Sequence, residues 1–217
     1  MTTRRHLLAL PALALPLLPT SARAAAPAAT APLGTPAIGA AAPAFTGTDS
    51  HGAAISLAQF AGKPVLLEWT NDGCPFVRKW YNGGAMQDLQ RQAAAMGAVW
   101  LSVISSPPGE QGFAEGPHAN ELTRTRNAAP THVLLDPEQR IARAYGATVT
   151  PHMFIVDAAG KLAYMGGADS IPSSRMEDLA RATPHVREAL TALAAGQPIP
   201  NPVTRPYGCV IKYRPSA

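Results

Sequence analysis

The stretch Val65-Leu66-Leu67-Glu68-Trp69-Thr70, running through Asn71-Asp72-Gly73 into Cys74-Pro75, constrains this chain more than any other feature. A continuous apolar run of that length behind Gly62-Lys63-Pro64 suits a central strand buried on both faces. Val77, Trp80 and Tyr81 then recur at helical spacing. After Gly83-Gly84 the pattern resumes through Met86, Leu89, Ala93 and Met96, and a second apolar run covers Ala98 to Ile104. Strand, helical crossover and strand make a βαβ unit and imply a parallel pair.

Shorter signals surround this unit. Ala44-Phe45-Thr46-Gly47-Thr48 and Ala54-Ile55-Ser56-Leu57 flank the turn-rich Asp49-Ser50-His51-Gly52, which predicts a small hairpin. Pro107 to Gly116 reads as a loop, Ala119 to Arg126 as a short helix, and His132 to Leu135 as a strand. Asp136-Pro137-Glu138 predicts a helix start with proline in the first turn, and Ile141, Ala144 and Tyr145 give that helix an apolar face. Met153 to Asp157 is a further buried strand, and Ala158-Ala159-Gly160 turns it into an antiparallel partner over Lys161 to Met165. Val186, Leu190 and Leu193 share one face of a last helix near residues 184–195. This order predicts an α/β domain over residues 44–196, a central mixed β-sheet flanked by helices with an N-terminal β-hairpin. Residues 197–217, with Pro198, Pro200, Pro202, Pro206 and Pro215, are expected to form an extended C-terminal tail that drapes over the surface.

Residues 1–24 have the order of a secretory signal peptide. Arg4 and Arg5 form a basic start, an apolar run from Leu7 to Leu18 is broken by Pro11 and Pro16, and Ala22-Arg23-Ala24 is a small-x-small cleavage pattern. Arg4-Arg5 suits a twin-arginine signal or a general secretory one. The apolar run is too short to span a bilayer. A periplasmic or secreted protein is therefore expected, without stable membrane insertion after cleavage. Residues 25–43, rich in Ala and Pro, read as a flexible leader outside the core. Arg4, Arg5 and Arg23 account for most of the formal net charge of +4. The mature chain then carries about +1, with no basic patch to argue for nucleic acid.

The chain has two cysteines, Cys74 and Cys209. In an oxidising compartment such a pair forms a structural disulfide or carries redox chemistry. Two cysteines alone make no zinc site, and His51, His118, His132 and His185 lack ligand spacing, so no metal or other cofactor is expected. Cys74 stands where the central strand ends and a helix begins. The unpaired amides and dipole of a helix N-terminus favour an anion. The sulfur is therefore expected to be accessible and ionised near neutral pH. Pro75 fits the first helical turn. Glu68 is either an inward-facing acid whose burial raises its pKa toward that of a working base, or a residue at a solvated strand end. Trp69, Trp80 and Tyr81 either pack the core or line a substrate groove.

The segment Trp69-Thr70-Asn71-Asp72-Gly73-Cys74-Pro75-Phe76-Val77 resembles the active-site segment of the thioredoxin-like superfamily. More closely it resembles the redoxin group, the branch of alkyl hydroperoxide reductase and thiol-specific antioxidant proteins. Ala41 to Trp69 is similar to that group's opening: Ala-Pro-x-Phe, a hairpin, Leu57, Phe60, Gly62-Lys63-Pro64, then the apolar strand. Val149 to Asp157 is similar to the strand that sets a cis-proline beside the active-site cysteine. The resemblance spans roughly residues 40–195. It implies a thioredoxin-like fold, a cis Thr150–Pro151 bond with Pro151 at the catalytic centre, Cys74 as nucleophile and Glu68 as proton acceptor. It also implies Asn71, Pro75, Phe76, Thr150 and His152 around the substrate, which would be a thiol/disulfide protein partner or a hydroperoxide.

The sequence departs from those patterns at three places. Val77 stands where thioredoxins carry their second cysteine. Asn71 stands where peroxiredoxins place Thr or Ser, and Pro151-His152 lie near where they place an arginine. Peroxide-binding hydrogen bonds would then come from residues such as Asn71, Arg78 or Lys79. Members of the redoxin subgroup end in a Gly-Cys-x-x-Lys segment similar to Gly208-Cys209-Val210-Ile211-Lys212. On that likeness Cys209 is the expected resolving cysteine, carried on a flexible tail. A static Cys74–Cys209 disulfide and an unpaired tail thiol are the other readings, and the first of these would suit a non-catalytic binding module on the same scaffold.

Overall fold

The computed structural model describes residues 34–215, so the signal peptide read over residues 1–24 lies outside the described part. The chain first forms β1 (Thr46–Asp49), β2 (Ala54–Ser56), β3 (Val65–Trp69), α1 (Pro75–Asn82), α2 (Ala85–Ala95) and β4 (Val99–Ile104). Then follow α3 (Gly116–Thr125), β5 (His132–Leu135), α4 (Arg140–Tyr145), β6 (Val149–Thr150) and β7 (His152–Val156). The last elements are β8 (Leu162–Gly166), α5 (His185–Ala194) and β9 (Cys209–Val210).

Seven strands form one mixed sheet in the order β2-β1-β5-β4-β3-β7-β8, and β6 pairs with β9 apart from it. The βαβ unit read from the sequence is the centre: β3 runs parallel to β4 and antiparallel to β7. β1 and β2 form the N-terminal hairpin, joined to the sheet through β5. Period-two alternation along β3 divides the core. Val65, Leu67 and Trp69 pack with Phe154, Ile141 and Tyr145 on one face, and Leu66 packs with Val77, Trp80, Met86, Leu89, Val186 and Leu190 on the other. Helices therefore cover both faces, as the α/β reading expected. Each fully buried Leu, Val or Met of this kind contributes about 1.5–3 kcal/mol of transfer free energy. Trp69, Trp80 and Tyr81 are all buried, which makes them core rather than groove.

Three segments differ from expectation. The leader read over residues 25–43 is part of the fold from residue 34 on. Ala42 N–H donates to Gly160 O (2.9 Å), Leu162 N–H donates to Ala40 O (2.9 Å), and Ile38 and Ala42 pack on the core. Pro and Ala weaken local periodicity without preventing edge pairing. Asp136-Pro137-Glu138 does not open α4, which starts at Arg140 after Gln139 at φ +59°. Asp136 is held outside by Ser105 Oγ (2.7 Å) and accepts the Ile141 and Ala142 N–H groups (3.1 and 2.9 Å).

The third segment is the tail. It is a bound strap, not a loose drape. Met165 N–H donates to Pro202 O (2.9 Å), Thr204 N–H to Met165 O (3.1 Å) and Ile211 N–H to Thr148 O (2.9 Å). Gln139 brackets its end, donating to Lys212 O and accepting from Arg214 N–H, both at 2.8 Å. Among the described residues no helix is long and apolar enough to cross a membrane.

Candidate active site

The loop between β3 and α1 is shaped by Asn71. Its Oδ1 accepts Gly73 N–H (2.9 Å), its carbonyl accepts Cys74 N–H (3.1 Å), and its Nδ2 donates to Gln111 O (3.1 Å). This loop sets Cys74 at the N-cap of α1, with Pro75 in the first turn where a missing N–H leaves nothing unpaired. Cys74 Sγ–H donates to Thr150 O (3.1 Å), and the Thr150–Pro151 bond is cis. The helix-start position therefore agrees with expectation. The exposure does not: Cys74 is 0% exposed, because the strap lies over it.

β9 brings the second cysteine there. Thr150 pairs with Cys209 in the β6–β9 register, and Thr150 Oγ1 donates to Cys209 O (3.5 Å). Both thiols are free, and Cys209 packs against the buried cluster that holds Cys74. Burial, with the adjoining Cys74 side chain, pushes the Cys209 thiol up to about 12. Gly208 makes this approach possible. It sits at φ +150°, and a Cβ there would lie 1.9 Å from Thr150 O.

Phe76 meets the ring of Tyr207 edge-on, with centroids 5.8 Å apart. Tyr207 in turn belongs to a buried polar cluster. Lys79 Nζ lies 2.8 Å from Asp169 Oδ2 and donates to Tyr207 Oη (2.9 Å) and Ile171 O (3.3 Å), while Tyr207 O–H donates to Asp169 Oδ1. Lys79 therefore spends its donors on this cluster and not on a peroxide, and Arg78 Nε donates to Asp72 O (2.8 Å). Sequence reasoning missed Asp169 and Tyr207. The available signal was a lysine on the apolar side of α1 with no acid one turn away, which implies a distant partner.

Glu68 is fully buried, which excludes the solvated strand end. Its carboxylate accepts from Tyr81 Oη (2.9 and 3.0 Å), Trp100 Nε1 (2.9 Å), Ser102 Oγ (3.0 Å) and Gln90 Nε2 (3.5 Å). None of these is a cysteine. Burial raises its pKa above the ordinary value. The Trp100, Tyr81 and Ser102 hydrogen bonds and the Arg126 charge oppose that rise. A small cavity lined by Thr70, Tyr81, Ser102 and Arg126 adjoins two of these donors.

His152 is placed away from the sulfur. On β7 it shares a face with Phe154, its ring 4.4 Å from that ring, whereas Met153 lies on the Cys74 side. Burial lowers its pKa to about 4, so it is neutral, and Nδ1 accepts Thr148 N–H (3.2 Å). It supplies no positive charge to a thiolate, and the side-chain period of two along a strand sets it on the Phe154 face. On the strap's outer side a cleft of about 160 Å³ is lined by Asn71, Thr150, Cys209, Glu110, Gln111 and Lys212. Lys212 Nζ and Glu110 Oε2 stand 3.1 Å apart at its rim.

Comparison with known proteins agrees with this fold. An uncharacterized conserved protein from Geobacillus kaustophilus is 25% identical with TM-score 0.70, over 83% of this chain and 94% of that one. A hypothetical protein from Sinorhizobium meliloti 1021 is 23% identical with TM-score 0.69, over 83% and 96%. The peroxidoxin BcpB from Mycobacterium tuberculosis shares the fold at 18% identity and TM-score 0.52, over 74% and 98%. No curated relative matches the chain. The model of the AhpC/TSA family matches residues 38–165, more than half of the chain and the whole stretch from the hairpin through the Cys74 loop to β8. With the mixed sheet and the helix-capping cysteine beside a cis-proline, that match makes this chain a member of the AhpC/TSA family, with a thioredoxin-like fold.

Proposed function

We propose that this protein is an exported thiol-dependent oxidoreductase in which Cys74 is the nucleophile and Cys209 the resolving cysteine. The observation that carries the reading is that both cysteines meet the Thr150 main chain at the start of α1: Cys74 Sγ–H donates to Thr150 O, and Cys209 pairs with Thr150 across β6–β9. A helix N-terminus stabilises the thiolate that both thiol exchange and peroxide reduction require. The burial of Cys74 favours a small oxidant, a hydroperoxide. The Cys74 thiolate attacks one peroxide oxygen, the O–O bond breaks, and the alcohol leaves after taking a proton, which forms a sulfenic acid. Cys209 then attacks that sulfur, a Cys74–Cys209 disulfide forms and water departs. An external dithiol, entering by the cleft at Cys209, reduces the disulfide and is itself oxidised. Asn71 and Thr150 line the cleft, and Pro75 and Phe76 form the first turn of α1 next to Cys74. In this reading Glu68 does not exchange a proton directly with a sulfur, since its partners are Tyr81, Trp100, Ser102 and Gln90.

Stopped-flow mixing with hydrogen peroxide tests the reading. The wild type should lose two thiols and form the 74–209 disulfide, Cys209→Ser should stop at the sulfenic acid, and Cys74→Ser should not react. A protein that exchanges with disulfides but ignores peroxide would keep the two cysteine roles and move the substrate to protein disulfides. Export rests on residues 1–24, and N-terminal sequencing of the mature protein should begin at Ala25.

A further inference from the structure

We infer that Tyr207 is a positioning residue for the Cys74–Cys209 step, anchoring the strap in a socket made by Lys79, Asp169 and Phe76. The inference rests on the proposed pairing of the two cysteines and adds the group that fixes their approach.

The socket is built from residues far apart in the chain. Lys79 on α1 has a side chain 0% exposed, and that of Asp169 is 1% exposed. Burying such a pair is costly unless every donor and acceptor is matched. Matching requires the strap. Lys79 Nζ donates to Ile171 O and Tyr207 Oη and forms an ion pair with Asp169 Oδ2, and Asp169 Oδ1 receives both Ile171 N–H (2.8 Å) and the Tyr207 hydroxyl. The Lys79 ammonium also lies 5.3 Å from the Tyr207 ring centroid, and Phe76 meets the same ring edge-on. The hydroxyl of Tyr207 thus completes a charged cluster that is otherwise one partner short.

Cys209 follows Tyr207 by two residues. Past it, Ile211 N–H donates to Thr148 O (2.9 Å), so the second thiol is clamped on both sides. The anchor is already made while both thiols are free. Forming the S–S bond then orders little that is not ordered already. A cysteine on an untethered tail would have to lose that freedom in the step, and its effective concentration at Cys74 would fall.

The test is the equilibrium between dithiol and disulfide in glutathione buffers, read by mass spectrometry of alkylated protein. Tyr207→Phe keeps the ring, its Phe76 contact and the Lys79–Asp169 pair, so it should fold, which its urea transition checks. Its 74–209 disulfide should need a redox buffer at least about tenfold more oxidising than the wild type needs. Tyr207→Leu, which removes the ring as well, should shift further in the same direction. Ile55→Ala removes buried apolar atoms from β2, at the opposite edge of the sheet from β8 and the strap, and should lower the urea midpoint without moving the glutathione equilibrium. Equal equilibria for wild type and Tyr207→Phe would overturn the anchoring role while leaving the cysteine pairing intact. Failure of the wild type to form the 74–209 disulfide at any buffer ratio would overturn the pairing and the anchoring together.

Discussion

Cys74 and Cys209 arrive at one place by different means. Cys74 is delivered by neighbours in the chain: β3, the loop tied by Asn71, and α1. Cys209 is delivered by contacts that cross the molecule, from Tyr207 to Lys79 and Asp169, and from Ile211 to Thr148. The first sulfur is built into a packed βαβ unit and shares its global stability. The second sits on a short two-stranded ribbon, β6–β9, outside the main sheet. Two residue pairs join that ribbon, so its place depends on the strap's contacts on either side of Cys209. The difference assigns one thiol's position to local structure and the other's to contacts made across the molecule.

Substitutions can break or sharpen that contrast, and the largest effect falls on the locally built sulfur. Cys74→Ser should reduce peroxide consumption by about a thousandfold or more in a stopped-flow assay, as removal of a covalent nucleophile does. Cys209→Ser should instead preserve the first turnover and halt the next. A comparable first-turnover loss in both variants would erase the contrast.

Next in size is the socket beneath the strap. Lys79→Met leaves Asp169 buried beside a tyrosine hydroxyl without its cation, and should cost about 3–5 kcal/mol in urea unfolding. An effect below about 1 kcal/mol would mean that the pair is dispensable. A smaller loss is expected at Gly208, where the new methyl of Gly208→Ala would collide with Thr150 O. It should cost about 1–3 kcal/mol and expose Cys74 to a thiol reagent in the native state. If Cys74 stays protected, the strap is not what covers it.

The smallest effect concerns pH. The raised pKa of Glu68 means that the folded chain holds this proton more tightly than the unfolded chain. That stability is complete below the ordinary value of 4.5 and is lost as pH rises through the folded value. Glu68→Gln should therefore gain on the wild type as pH increases from 4 toward neutrality. The gain is about 1.4 kcal/mol for each pH unit by which the folded value exceeds the unfolded one. Parallel stability curves for the two proteins would mean that Glu68 does not hold the tightly bound proton.

Legibility in the sequence follows the same division. The βαβ unit, the hairpin and the helix-start position of Cys74 depend on local periodicity and turn residues, and they were readable. The side of the sheet that His152 faces was not. A strand apolar throughout, Met153 to Val156, gives no alternation from which to choose a face. The burial of Cys74 depends on residues more than a hundred positions away. The Pro-rich segments at both ends read as loose because their hydrogen bonds are made to other elements, and no window of neighbouring residues contains them. Asp136 misled by only a few residues: its carboxylate accepts the Ile141 and Ala142 N–H groups of α4, but Pro137 and Glu138 form a turn before the helix begins.

The Thr150 main chain has a consequence of its own. Its carbonyl receives the hydrogen of one sulfur, its strand aligns the other, and its peptide leads into Pro151. None of these duties belongs to a side chain that replacement could remove. An alanine scan would therefore report this crossing as nearly silent. Replacing the Thr150 carbonyl by a thioamide, a weaker hydrogen-bond acceptor that keeps the proline ring, would disturb Cys74 where side-chain replacement does not.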